Sequence, residues 1–236
     1  MIMTCIILAG GLGTRMSAYT KDTPKALIPV AGIPFIHHQL DLLEKQGFTN
    51  IVFSIGYLGS QIIEELRLNP HPNISVSFVS DGDVLRGTGG AVRIILETEI
   101  FDDYFFVTYG DSYLIFNPAE LGKSLDSARF DAIMALYTNK ELLEPNNVRF
   151  NNGTASYMKN CSDSELHHLN MIDFGISYIS RASVLKVIPE NQKYDLSKYF
   201  EDVSREGRLQ GMVTSQRFYE IGSPSGRNEL EKLLDK

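Results

Sequence analysis

A chain of 236 residues with 43% hydrophobic and 22% charged content can bury a real core and has the composition of a globular protein, not a disordered one. A formal net charge of −7 and a pI near 5.3 argue against a protein that works on nucleic acid or on an anionic membrane. The N-terminal apolar stretch is short and has no basic flank, no apolar run approaches the roughly 20 residues of a membrane span, and Cys5 and Cys161 make no disulfide framework, so a cytoplasmic location is expected.

In chain order, Ile6–Leu8 reads as a strand that runs into glycines. Phe35–Gln46 carries apolar residues at 35, 36, 40, 42 and 43 and stops before Gly47, the pattern of a helix with a glycine cap. Ile51–Ile55 follows as a strand, Leu58–Leu68 as a helix, Ile74–Val79 as a strand, Thr88–Leu96 as a helix and Tyr104–Thr108 as a fourth strand. Strands separated by helices of this length require crossover connections, hence a mainly parallel sheet covered on both faces. Beyond about residue 130 the links shorten: Ala132–Tyr137, Val148–Phe150, Thr154–Met158 and Phe174–Ile179 read as strands of a more mixed sheet. Helices are expected at Ser183–Val187, Leu196–Arg205 and Gly226–Leu234, with a strand at Gln216–Ile221. The expected fold is one α/β domain over residues 1–236, three-layer α/β/α around a mostly parallel, mixed central sheet.

Gly10, Gly11 and Gly13 directly after the first strand let the backbone turn sharply and bring its N–H groups close to an anion. Two familiar phosphate loops do not fit. A Walker A loop ends in Gly-Lys-Ser/Thr, whereas this one ends Gly13-Thr14-Arg15, and the third glycine of a dinucleotide fingerprint is replaced by Met16. Arg15 supplies a fixed cation whose planar donor fork suits phosphate oxygens. Lys25 lies between Pro24 and Pro29 in a stiff segment that would hold its stem in place. Asp111 follows the apolar run Phe105–Tyr109 through Gly110, so its carboxylate belongs at the C-terminal end of a strand, where open α/β sheets bind ligands.

The pattern Leu8-Ala-Gly-Gly-x-Gly-Thr-Arg15, followed by Thr23-Pro-Lys25 and Pro29, resembles the signature of the sugar-1-phosphate nucleotidyltransferases, and the similarity runs essentially the whole chain. The short form most resembles heptose-1-phosphate guanylyltransferases and N-acetylmuramate-1-phosphate uridylyltransferases. The resemblance implies a Rossmann-like nucleotidyltransferase fold, with residues about 1–111 serving the nucleotide and about 112–236 the acceptor. It implies that Leu8, Ala9, Gly10, Gly11, Gly13 and Thr14 wrap a nucleoside triphosphate, that Arg15 holds the outgoing pyrophosphate and that Lys25 contacts phosphate at the reacting centre. Gly87 and Thr88, at a helix start with free N–H groups, would meet the base and ribose; Leu85-Arg86 stands where the family often has Pro-Leu.

Asp111 and Glu220 would hold Mg²⁺, which favours one or two carboxylates plus phosphate and water oxygens. The family usually has aspartate at the position of Glu220, so an extra methylene must be accommodated. Asp173 and Gly175 match the family's sugar-recognition segment, and Lys159 the lysine for the sugar phosphate. His167 and His168 read as loop surface, while Asn146, Asn147 and Arg149 can border the acceptor pocket. Asp81 and Asp83 flank the expected base pocket, where a carboxylate accepts from guanine or cytosine, a lean toward GTP or CTP. The expected reaction is in-line attack of a sugar 1-phosphate on the α-phosphorus of the triphosphate, by a monomer or homodimer. A cytidylyltransferase for a non-sugar phosphate such as phosphocholine and a non-catalytic nucleotide sensor are the competing classes.

Overall fold

In the computed structural model, residues 3–11, 22–80, 82, 86–99, 101–139, 145–159 and 167–235 are described. The elements in order are β1 (Thr4–Leu8), a 3-10 turn at Lys25–Leu27, β2 (Pro29–Val30), β3 (Ile33–Pro34), α1 (Phe35–Lys45), β4 (Asn50–Ile55), α2 (Gly59–Leu68), β5 (Ser75–Ser80), α3 (Gly87–Thr98) and β6 (Tyr104–Tyr109). There follow β7 (Ser112–Leu114), α4 (Pro118–Ser124), β8 (Ala132–Tyr137), β9 (Val148–Asn151), β10 (Thr154–Tyr157), β11 (Ile172–Ser180), α5 (Arg181–Val187), α6 (Leu196–Arg205), β12 (Leu209–Thr214), β13 (Phe218–Glu220) and α7 (Pro224–Leu234).

The chain divides into two compact units. The first comprises residues 1–85, 108–115 and 218–236, the second 86–107 and 116–217. In the first unit β4 lies between β1 and β5, parallel to both, with Ile6 opposite Val52 and Phe53 opposite Phe78. All five residues of β1 are buried, the mark of a parallel strand covered on both faces. α1 turns its Phe35, Ile36, Leu40 and Leu43 inward, each contributing about 1.5–3 kcal/mol on burial. It ends where Gly47, at φ 91°, donates its N–H to the Glu44 carbonyl, a conformation that glycine adopts without steric cost.

In the second unit the strand order is β6-β11-β8-β12-β10-β9. β8 and β12 are parallel, while β11 with β8, β10 with β12 and β10 with β9 are antiparallel, the mixed pairing expected for this half. Every residue of β8 is buried. β12 has no counterpart among the elements expected from the sequence, because Gly211 interrupts its apolar pattern. A side chain there would meet Leu136 at 2.6 Å and Phe150 at 2.8 Å, so those two residues fill the space instead. The strand expected at 216–221 is shorter, 218–220. No helix among the described residues is long and apolar enough to cross a membrane.

Candidate active site

The first strand and the loop that leaves it are fixed by backbone bonds: Ala9 N–H donates to Ser54 O and Gly110 N–H to Leu8 O, both at 2.9 Å. A Cβ on Gly110 would lie 3.0 Å from the Ala9 Cβ. Glycine therefore lets the chain leaving β6 run against the chain leaving β1 and sets Asp111 beside the start of the glycine loop. Gly10 is held similarly, its carbonyl 2.9 Å from where Gly56 would carry a Cβ, while no atom of the described residues lies within 4 Å of where Gly11 would carry one. Gly13, Thr14 and Arg15 lie outside the described residues.

Lys25 opens the 3-10 turn that follows extended Pro24 (φ −62°, ψ 145°), with Leu27 N–H donating to Pro24 O. Behind it Ala26 and Ile28 are buried, so the stiff segment anchors the lysine stem. Its ammonium donates to Asp111 Oδ2 at 2.9 Å, with 17% and 24% of the two side chains exposed. An ammonium carries three donors, and this bond takes one.

Glu220 ends β13, which pairs antiparallel with β7 so that Glu220 stands opposite Ser112. Ile221 N–H then donates to the Asp111 carbonyl at 2.9 Å. These bonds bring the third charged group to the other two. The position of a Cβ on Gly222 would be 2.6 Å from Glu220 Oε2, 3.2 Å from Asp111 Oδ2 and 3.5 Å from Lys25 Nζ. Two carboxylates and an ammonium thus converge where a side chain at 222 would have to displace the Glu220 carboxylate.

The extra methylene of Glu220 has a visible accommodation. Glu220 Oε1 accepts from Ser223 Oγ at 2.6 Å, and Ser223 Oγ in turn caps α7 by accepting from Gly226 N–H at 3.0 Å. A Cβ on Gly226 would sit 1.9 Å from Glu220 Oε1. The longer acid fits because residue 226 has no side chain. Ser223 and Gly226 support Glu220 in ways that local sequence patterns do not reveal, although the Ser223-Pro224 pair is a recognisable helix start.

An apolar cluster stands behind this triad: Ile28, Val30, Phe35, Ile221 and Leu230, with Tyr113 and Tyr219 packed against it. It joins the lysine turn to the glutamate strand and to α7. Ile221→Ala is expected to lower the free energy of unfolding by about 2–4 kcal/mol, a transfer loss plus a cavity, measured by urea denaturation. A change below about 0.5 kcal/mol would show that the cluster does not hold this segment.

In the second unit, Asp173 sits at an irregularity of β11 between residues 173 and 177. Its N–H donates to Asn147 Oδ1 at 2.8 Å, and its Oδ1 accepts from Gly175 N–H at 2.9 Å. Gly175, at φ 97°, makes that local turn without strain. Burial pushes the Asp173 carboxyl up to about 6, with the Gly175 bond opposing the shift. Beside it, burial first, then the charges of Asp173 and Glu201, push the Tyr157 phenol up.

A carboxyl raised above its ordinary value near 3.9 binds more protons in the fold than unfolded between pH 3.9 and 6, so stability falls as pH rises through that window. Asp173→Asn is therefore expected to raise the melting temperature at pH 8 more than at pH 5, followed by thermal unfolding at both. Equal effects at the two values would exclude the charge as the cause.

Lys159 is exposed, with its N–H donating to Glu201 Oε1 at 3.1 Å, and His167 and His168 are exposed as expected. At the start of α3, Gly87 has φ 72°. The donors expected to be free there are partly engaged: Gly89 and Gly90 N–H both donate to Tyr194 O, and Thr88 Oγ1 accepts from Leu196 N–H at 2.8 Å. A Cβ at Gly87 or Gly89 would lie within 3 Å of Tyr194 O, so tight packing accounts for these glycines, and the Thr88 hydroxyl keeps its own proton to donate. Asp81 and Asp83 lie outside the described residues.

Residues 5–164 match the MobA-like NTP transferase domain. The chain is 25% identical, over 98% of each sequence, to D-glycero-alpha-D-manno-heptose 1-phosphate guanylyltransferase of Aneurinibacillus thermoaerophilus. It is also 46% identical to choline-phosphate cytidylyltransferase of Streptococcus pneumoniae, but over only 25% of this chain and 26% of that protein. The crystal structure of HddC from Yersinia pseudotuberculosis complexed with GMP-PN superposes with a TM-score of 0.81 at 23% identity, covering 99% of this chain and all of that one. The mostly parallel, mixed α/β architecture expected from the sequence is thus that of the Rossmann-like nucleotidyltransferases. With the domain match spanning most of its length and containing the glycine loop, Lys25 and Asp111, the chain belongs to the MobA-like NTP transferase domain family and is a nucleotidyltransferase.

Proposed function

We propose that this nucleotidyltransferase transfers NMP from a nucleoside triphosphate to a sugar 1-phosphate, giving an NDP-sugar and pyrophosphate. The convergence of Lys25, Asp111 and Glu220 on the position that a side chain at Gly222 would need carries this proposal. A reaction whose nucleophile is already an anionic phosphate needs no general base. Its barrier is lowered by positioning and by neutralising charge on the phosphates. Lys25 supplies a fixed ammonium, oriented by Asp111 Oδ2, to a phosphate oxygen near the reacting phosphorus. Arg15 takes the departing pyrophosphate, and Leu8, Ala9, Gly10, Gly11, Gly13 and Thr14 line its path.

Two carboxylates that converge at Gly222 fit Mg²⁺, a hard cation that prefers oxygen ligands. Bound between Asp111 and Glu220, the ion would supply Lewis-acid stabilisation of the triphosphate. Ser223 Oγ holds Glu220 Oε1 in place for that task. On the acceptor side, Asp173 accepts from sugar hydroxyls, Gly175 admits the ring and Lys159 meets the sugar phosphate. Gly87 and Thr88 meet the base and ribose, and Asp81 accepts from the base.

Similarity over nearly the full length of a heptose 1-phosphate guanylyltransferase supports GTP as donor and a heptose-type sugar 1-phosphate as acceptor. The choline-phosphate cytidylyltransferase match, confined to a quarter of the chain, makes CTP with phosphocholine the second pair to test. The experiment is a matrix of four nucleotides against sugar 1-phosphates and phosphocholine, with Mg²⁺, read by pyrophosphate release. GTP with a sugar 1-phosphate is expected to be fastest. Faster release with CTP and phosphocholine would overturn the acceptor class, and release with no pair would overturn sugar-phosphate transfer altogether.

A further inference from the structure

A second cluster of ligating side chains lies on α1 and in the turn before β5. The rings of His37 and His71 meet edge to edge, with centroids 5.2 Å apart and planes at 19°, and His37 Nδ1 is 2.9 Å from His71 Nε2. His37 Nε2 lies 2.9 Å from Glu65 Oε1. The hydrogen bond from His37 holds the Glu65 carboxyl below the usual carboxylate range; burial, next in weight, opposes it, and a lesser bond from Asn69 adds to it. A carboxylate only accepts, so the proton of a neutral His37 is on Nε2 and its Nδ1 is an acceptor. The proton shared between the rings then belongs to His71 Nε2. This assignment leaves a lone pair on His71 Nδ1.

Among the described residues, the recorded contact of that nitrogen is with a carboxylate. His71 Nδ1 lies 3.4 Å from Asp41 Oδ1, and ligand atoms of Asp41, Glu44 and His71 all fall within 4.8 Å of one another. Two carboxylates and an imidazole lone pair repel unless a cation lies among them. A single proton would leave the group with a net negative charge, whereas a divalent ion balances both carboxylates.

The surroundings have the form of a metal ligand's support. A ligating histidine commonly donates its other ring N–H to an acceptor that fixes its tautomer, and His71 does so through His37 to Glu65. Asn73 Nδ2 donates to Glu44 Oε1 at 2.5 Å. The His71 side chain is only 10% exposed and that of Asp41 57%, so the cluster is rigid on one side and open to solvent on the other.

We propose that Asp41, Glu44 and His71 form a binding site for a divalent transition metal ion, separate from Asp111 and Glu220, with Zn²⁺ as the ion that suits this ligand set. One imidazole nitrogen with two carboxylate oxygens favours Zn²⁺ over Mg²⁺ or Ca²⁺, which select oxygen. Asp41 and Glu44 stand on α1, and His71 in the segment between α2 and β5. The ion ties these segments of the first unit together, which makes it a structural clip.

The test is equilibrium dialysis of the full chain against Zn²⁺ in excess Mg²⁺, with Co²⁺ absorption reporting the ligand geometry and thermal unfolding reporting the clip. About one Zn²⁺ per chain is expected, with a raised melting temperature, and both are expected to persist in Asp111→Asn. His71→Asn abolishes binding but also removes the bond to His37. Asp41→Asn leaves the histidine relay intact and is expected to weaken Zn²⁺ binding at least about tenfold while leaving Mg²⁺-supported turnover unchanged. Zn²⁺ retained at full affinity by Asp41→Asn and by Glu44→Gln, Zn²⁺ lost in Asp111→Asn, or no Zn²⁺ bound by the unaltered chain would each overturn the proposal.

Discussion

Asp111→Asn is expected to slow pyrophosphate release by about two to three orders of magnitude, equivalent to about 3–4 kcal/mol of transition-state stabilisation, with little loss of fold. Asparagine keeps the shape of the side chain and leaves the backbone bond from Ile221 N–H to the residue 111 carbonyl untouched. What it removes is the charge facing Lys25 and Glu220. Because the Lys25–Asp111 pair is partly exposed, breaking it costs about 1 kcal/mol or less of stability.

A Mg²⁺ titration separates the two roles that Asp111 can have. If Asp111 holds the ion, the variant requires more Mg²⁺ for half-maximal turnover, and Lys25→Met/Asp111→Asn is slower than either single change. If Asp111 serves only to hold Lys25, the double variant matches Lys25→Met and the Mg²⁺ requirement stays that of the unaltered enzyme.

The parts of this site legible in the sequence are those carried by neighbours along the chain. β1, α1, β4, α2 and β6 announce themselves by apolar runs or helical periodicity, and Asp111 by the glycine that precedes it at a strand end. Two- and three-residue strands such as β2, β3 and β7 are too short to display a period, and the sequence shows nothing at them. β12 is hidden because its glycine makes room for Leu136 and Phe150, residues that come near only through folding.

The site follows the same division. Lys25 between prolines is a local signal, whereas the raised carboxyl of Asp173 depends on burial, which no segment of sequence contains. The donors at the start of α3 illustrate the opposite error: a glycine-rich helix start looks free to bind until the Tyr194 carbonyl is seen to receive two of its N–H groups.

Gly226→Ala is the second change expected to act strongly, through a residue that touches no substrate in the proposed reaction. By local propensity alanine should be preferred there, since glycine in a helix costs about 0.5–1 kcal/mol relative to alanine. Space decides otherwise. The new methyl would fall 1.9 Å from Glu220 Oε1 and 2.6 Å from the Glu220 carbonyl oxygen, so the carboxylate must leave Ser223 and the backbone must shift slightly as well.

Turnover is expected to drop at least about tenfold, or about 1.4 kcal/mol, with a raised Mg²⁺ requirement. Adding Glu220→Asp shortens the acid and removes the closer of the two clashes but not the one with the carbonyl. The double variant is therefore expected to recover part of the lost rate, lying between Gly226→Ala and the unaltered enzyme. Such a ranking would tie Gly226 to the length of the acid at 220, a dependence between residues six positions apart. If the double variant is no faster than Gly226→Ala, the side-chain clash is not the cause, and the loss must come from the displaced backbone of β13 alone.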